Sequence, residues 1–253
     1  MPIHKLRPSF HARPWGTTVL EPWFPNPAAA NPTTRIGEAW FHTDGVPLVK
    51  FLFTTEKLSV QVHPGDEYAR RHHSSPGKSE MWHVLAAEPG AQIAAGFREP
   101  LTRQQAAAAA ESGEIENLLQ WFDAQPRDTF FIPAGTVHAI GAGLTICEIQ
   151  QYSDITYRLY DYGRPRELHL SDALAVAELG PLAARRTLPV ECHAFVTALG
   201  FEPRPQGPQL LIAIGGSGAF DGQPIHGGEV LYLPPGAGGS VSGAVEVLRT
   251  FVP

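Results

Sequence analysis

Alternation between polar and apolar positions dominates this chain. Segments 35–42, 46–54, 57–62 and 80–86 are short runs of strand length, and 129–132 and 144–150 follow as further strands. In Val60-Gln61-Val62-His63 the polar pair Gln61 and His63 falls on one face, because side chains on a strand repeat every second residue. The same rule groups Lys78, Glu80 and Trp82. At 102–122 the period changes. An alanine run is followed by Ile115, Leu118, Leu119 and Phe122 at helical spacing, behind Thr102 as N-cap, so a small helical insertion is predicted. Ser171-Asp172-Ala173-Leu174 opens a second short helix ending near Gly180. Residues 1–35, interrupted by Pro8, Pro14, Pro22, Pro25, Pro27 and Pro32, read as an irregular arm.

The stretch from Pro181 to Pro189 marks a boundary. It separates a domain of residues 1–180 from a second β-rich region, 181–253, with turn signals at Gly215-Gly216, Asp221-Gly222, Gly227-Gly228 and Pro234-Pro235-Gly236. Beyond His193 that region has one histidine, His226, and no ligand-like cluster, which suits a structural role. Among 253 residues, 25 Gly and 24 Pro imply many turns, and 43% hydrophobic content is enough for a sizeable core. A mainly β chain follows. The net charge of −6 argues against a nucleic-acid surface, and no run of about 18 apolar residues suggests a membrane span. The start lacks the apolar core of a signal peptide, and the two cysteines demand no disulfide, Cys147 lying in an apolar run. A cytoplasmic location is predicted.

The chemistry gathers in three separated stretches: Gln61-Val62-His63, Lys78-Ser79-Glu80-Met81-Trp82, and Pro133-Ala134-Gly135-Thr136-Val137-His138. Gln61 offers an amide oxygen, His63 and His138 imidazole nitrogens, and Glu80 a carboxylate. Together they can hold one divalent metal with a position left open for water or substrate. Zinc fits best; manganese, cobalt and iron are alternatives. With one carboxylate against a 2+ ion the centre stays positive, able to polarise a carbonyl. A lone strand histidine is ordinarily a surface or core residue, so the joint pattern carries the argument. Pro133-x-Gly135-x-x-His138 is also the second sequence signature of cupin barrels. His72 and His73, beside Ser74, Ser75 and Pro76, read as solvated loop residues. His4, His11, His42, His169 and His193 have no companions at ligand spacing.

The chain resembles the type I mannose-6-phosphate isomerases, in their short bacterial form. The resemblance spans roughly residues 13–180 and, more loosely, the closing β region. It rests on Leu58-Ser59-Val60-Gln61-Val62-His63-Pro64, Gly77-Lys78-Ser79-Glu80-Met81-Trp82, Phe131-Ile132-Pro133-Ala134-Gly135-Thr136-Val137-His138, and Glu148-Ile149-Gln150-Gln151-Tyr152-Ser153-Asp154-Ile155-Thr156-Tyr157-Arg158. Tyr160-Asp161-Tyr162-Gly163-Arg164 fits as well. The resemblance implies a cupin jelly-roll barrel with a helical insertion and a second, ligand-free β-rich barrel. It also implies zinc-dependent interconversion of mannose 6-phosphate and fructose 6-phosphate, with metal ligands at Gln61, His63, Glu80 and His138. Active-site polar residues would fall on Ser59, Lys78, Glu148, Arg158 and Arg164, with Lys50 as a further lysine and Trp15 and Glu38 lining the pocket. Three departures stand out. Gly65 replaces the usual Asp, His83 replaces an aromatic after Met81-Trp82, and 70–76 is shorter or more polar. His83 is expected to face away from Trp82 and Glu80.

An aldose–ketose isomerase moves a proton between C1 and C2 through an enediol. Lys78 and Lys50 would stabilise developing charge, Glu148 or a metal-bound water would be the base, and Arg158, Arg164 and Ser59 would grip the phosphate. Tyr157, Tyr160 and Tyr162 suit core or pocket wall. The competing readings are a cupin oxygenase, a non-catalytic sugar-binding cupin, and an isomerase of another phosphosugar. The predicted partner is a small phosphosugar, with the chain a monomer or weak homodimer.

Overall fold

The computed structural model describes residues 2–25, 33–204 and 206–253, and it divides into two compact units, Thr54–Leu144 with Gln151–Arg186, and Met1–Phe53 with Thr145–Gln150 and Thr187–Pro253. One border, 186/187, lies inside the boundary stretch predicted at 181–189. The chain is mainly β, and among the described residues no helix is long and apolar enough to cross a membrane.

In the first unit five strands lie in the order Tyr157–Tyr160, Val60–Val62, His138–Ile140, Gln92–Phe97 and Leu119–Asp123. A further three run Arg185–Arg186, Thr129–Ile132, Glu80–Ala87. The core packed on the five-stranded sheet includes Val60, Val62, Phe97, Ile115, Leu119, Val137, Tyr157 and Leu159, with Tyr160 at its margin. The insertion begins as predicted. Thr102 caps Arg103–Ser112, its hydroxyl accepting from the Gln105 N–H while the Gln105 side chain reaches back. It does not continue to 122. Gly113, at φ +82°, ends it, and after the single turn Ile115–Leu118 the chain becomes the strand Leu119–Asp123. Ile93↔Phe122 and Ala94↔Trp121 pairing there outweighs the helical spacing. Its partner Gln92–Phe97 gave little strand signal because Ala94 and Ala95 are weak β formers. His72 and His73, expected in a loop, close the helix Asp66–His73, in which the His72 ring stacks on Tyr68 one turn earlier. Leu170–Val176 is the second predicted helix.

In the second unit Leu144–Gln150, Leu48–Thr54, Ile36–Phe41 and Ser9–Thr17 are successive neighbours. Part of the arm is regular: Ser9–Thr17 pairs with Ile36–Phe41, and its register shifts between Ala12 and Thr17, where Pro14 has no N–H to give. His4–Lys5 is a further strand, while Pro27 and Pro32 lie outside the described residues. The C-terminal region supplies five strands of a six-stranded sheet, whose sixth is His4–Lys5, and a three-stranded sheet, around Leu211, Phe220, Ile225, Leu231, Leu233 and Val247. Asp221-Gly222, both at positive φ, make the two-residue hairpin the sequence predicts.

Candidate metal centre

Strand register brings the first residues together. Gln61 lies opposite His138 on one side and opposite Arg158 on the other. Opposed residues of antiparallel strands project to one face, so these three form a row. Glu80 opens its strand across from Ile132, after which the chain turns through Pro133-Ala134-Gly135 towards His138. The turn is tied down: Thr136 N–H donates to the Pro133 carbonyl (3.1 Å) and Gly135 N–H to the His63 carbonyl (2.8 Å). Gly135 takes φ +89°, a conformation that favours glycine.

His63, Glu80 and His138 are buried together, their ligand atoms all within 4.8 Å of one another. His63 Nε2 stands 3.4 Å from Glu80 Oε2, and His138 Nε2 3.5 Å from Glu80 Oε1. Backbone carbonyls set both tautomers. His63 Nδ1 donates to the Ile155 carbonyl (2.9 Å) and His138 Nδ1 to the Thr136 carbonyl (2.9 Å). Each Nε2 then presents a lone pair to the shared space. Neither Glu80 oxygen accepts a hydrogen bond, although Lys78 Nζ forms an ion pair with Oε2 at 3.0 Å. The Gln61 amide stands 3.2 Å from His138 Nε2, its oxygen accepting from the Ser59 hydroxyl at 3.2 Å. A half-turn of that amide presents its oxygen instead. Two imidazole lone pairs, an unsatisfied buried carboxylate and an amide suit a divalent ion.

The electrostatics agree. Burial pushes His63 down to about 3, and Lys78 adds to the effect; burial also lowers His138. Both imidazoles are neutral at pH 7, the form that binds metal. Burial alone would raise Glu80, but the Lys78 ammonium and then His63 hold it well below the usual carboxylate range. Lys78 Nζ also lies 3.0 Å from His63 Nε2. Trp82 shares the Glu80 face as predicted, its ring edge-on to His138 at 5.3 Å. His83 is buried and meets the Thr129 hydroxyl at 2.9 Å.

The remaining residues differ in how free they are. Arg158 Nε donates to the Glu167 carbonyl (3.0 Å), and among the described residues its guanidinium has no carboxylate partner in ion-pair range. Arg164 is engaged by Asp161 (3.1 Å), Glu56 (3.2 Å) and the Lys57 carbonyl (2.8 Å). Lys50, Glu148, Glu38 and Trp15 belong to the other unit. There Lys50 Nζ is 3.4 Å from Glu148 and 4.1 Å above the Trp40 ring. Burial would raise Glu38, but Lys50 and Arg13 bring it below its ordinary value; it accepts from Arg13 (2.8 Å) and Trp40 Nε1 (2.7 Å). Trp15 is buried. His73, expected in solvent, hydrogen-bonds the Tyr157 hydroxyl. The sequence reading missed the Thr136 and Ile155 carbonyls, and Asp66 and Gln151 behind the Lys78 segment. A carbonyl carries no residue signature, and Ile155 is 92 positions from His63.

A buried two-histidine, one-carboxylate set on a β framework has the donors to hold one divalent ion. No family model matches the chain. The mannose-6-phosphate isomerase ManA of Bacillus subtilis is 31% identical, over 92% of this chain and 93% of its own. The mannose-6-phosphate isomerase of Streptococcus mutans is 40% identical over 53% of this chain and 44% of its own. Among solved structures, mannose 6-phosphate isomerase from Bacillus subtilis superposes with a TM-score of 0.85 at 24% identity, covering all of both chains. A mutant phosphomannose isomerase from Salmonella typhimurium gives 0.75 at 15%, again over both full chains. These two show a shared fold. The chain belongs to the mannose-6-phosphate isomerase family.

Proposed function

We propose that this chain interconverts mannose 6-phosphate and fructose 6-phosphate, using one divalent ion, zinc, held by Gln61, His63, Glu80 and His138. The observation that carries the reading is the buried His63–Glu80–His138 set with both Nε2 lone pairs aimed inward, in a chain of this family. Manganese, cobalt and iron satisfy the same donors. Bound there, the ion would supply a Lewis acid beside the sugar oxygens. Lys78, held between His63 and Glu80, keeps a fixed cation where charge develops as C2 becomes enediol-like. Arg158, without a carboxylate partner among the described residues, presents a guanidinium for the phosphate; Arg164 and Ser59 support that grip. Glu148, paired with Lys50 at 3.4 Å, is read as a candidate base, with a metal-bound water as the alternative, and Lys50 as a charge-stabilising lysine. Trp15 and Glu38 are read as pocket-lining residues. The fold is read as a cupin jelly roll, with the region after 181 a second, ligand-free barrel. The protein is read as a cytoplasmic monomer or weak homodimer.

The test is anaerobic turnover of mannose 6-phosphate, read through a coupled dehydrogenase. Turnover abolished by a chelator, with Arg158→Ala acting mainly by raising KM, is expected. A fully metal-loaded protein that leaves the sugar untouched would overturn the reading.

A further inference from the structure

The segment carrying Lys78 has almost no ladder of its own. The strand begins only at Glu80, so the backbone of residues 77–79 needs other partners. Lys78 N–H donates to the Pro64 carbonyl at 3.0 Å. Two side chains supply the rest. Asp66 Oδ1 accepts from Gly77 N–H at 2.8 Å, and Gln151 Oε1 accepts from Ser79 N–H at 2.7 Å. The Gln151 N–H in turn donates to the Ser79 carbonyl at 3.0 Å, so Gln151 meets both backbone groups of Ser79 as a strand neighbour would. Gln151 Nε2 then donates to Asp66 Oδ1 at 3.0 Å and joins the two. Asp66 also faces Arg70 at 3.9 Å. Gly77 makes this closeness possible: a Cβ there would lie 2.6 Å from the Asp66 nitrogen. On the far side, the Ser79 hydroxyl accepts from Ala134 N–H at 3.1 Å, linking the segment to the turn before His138.

We infer that Asp66 and Gln151 are positioning residues for the reaction: a hydrogen-bonded pair that clamps residues 77–79 and thereby sets Lys78 and Glu80 at the metal centre. Both act through the backbone of Gly77 and Ser79. The inference rests on the isomerase reading for its kinetic consequence only. Without the clamp the segment keeps its sequence but loses its fixed path. Lys78 Nζ then leaves the point 3.0 Å from both His63 and Glu80. Displacements of that size are costly when charge must be met in a fixed geometry.

The experiment uses the full chain with Asp66→Ala, Gln151→Ala, Asp66→Asn and Gln151→Glu. Each alanine variant is expected to lower kcat about 10- to 100-fold with little change in KM, and to weaken zinc in chelator competition by a similar factor. Asp66→Asn keeps the Oδ1 acceptor and should stay near wild type. Gln151→Glu sets two carboxylates against each other and should be impaired. Wild-type kcat and zinc affinity in both alanine variants would overturn the clamp, as would an Asp66→Asn variant impaired as far as Asp66→Ala. If alanine variants fail to fold, Asp66→Asn against Gln151→Glu decides: the clamp requires the first near wild type and the second lowered in kcat and zinc affinity, and equal behaviour overturns it. If wild type binds zinc yet does not turn over the sugar, the isomerase reading falls, and zinc affinity alone judges the clamp.

Discussion

Two β regions of this chain differ in what they bury beside an apolar core. The strands around Gln61, Glu80 and His138 enclose Lys78, Glu80, His63 and His138, all nearly inaccessible. The C-terminal sheets enclose Leu211, Phe220, Ile225, Leu231, Leu233 and Val247, with the Thr197–Thr250 hydroxyl pair at 2.8 Å among their buried polar groups. Both arise from short alternating strands joined by glycine turns. The difference lies in what occupies the inward positions. Burying an ion pair with imidazoles costs several kcal/mol in desolvation, and apolar residues would fill the same space more stably. Such a cluster signals function, whereas the apolar interior signals support.

Substitutions should separate the two regions. The largest effect is expected from Glu80→Gln, which removes the carboxylate charge from the ligand set and from its ion pair with Lys78. Metal analysis beside the coupled assay should show metal and turnover lost together. Lys78→Ala should retain metal while kcat falls about 10²- to 10³-fold, the range for removing one preorganised charge-stabilising group. In the C-terminal region Leu211→Ala should cost about 2–5 kcal/mol in denaturant unfolding, leaving kcat at 25 °C unchanged. Metal-free protein should also lose stability in acid. His63 and His83 are held at about 3 and about 4 when folded, against 6.5 for the free side chain. Below pH 6.5 the unfolded chain therefore binds more protons, so stability present at neutral pH is lost as pH falls towards 4. The lowered Glu80 acts in the same direction below 4.5. Melting curves should show this fall, and His83→Gln, neutral throughout, should reduce it. Thr102→Ala, far from the site in sequence, removes the capping box and should cost only about 1 kcal/mol in melting experiments.

Much of the site was legible because its residues follow period two. Gln61 and the Lys78-Glu80-Trp82 face could be read from alternation, and the Pro-Ala-Gly turn announced His138. The arm was harder: Pro14 suggested disorder of pattern, yet long-range pairing with Ile36–Phe41 absorbs it as a register shift. Leu119–Asp123 was read as helix because Leu118, Leu119 and Phe122 satisfy a helical period locally, while its partner strand carries too much alanine to announce itself. The short helix Asp66–His73 is too polar to show an apolar stripe. The Thr136 carbonyl is two positions from His138, but the Ile155 carbonyl and the Asp66–Gln151 pair depend on contacts across 11 to 92 positions that no local pattern encodes.

The central claim is that His63, Glu80 and His138 hold the ion on which sugar isomerisation depends. The most direct measurement strips the protein of metal and titrates zinc back while following mannose 6-phosphate turnover. Turnover rising in proportion to zinc and levelling at about one equivalent per chain, with His138→Ala silent throughout, is the predicted result. Full turnover in the stripped protein, or an active His138→Ala variant, would contradict it.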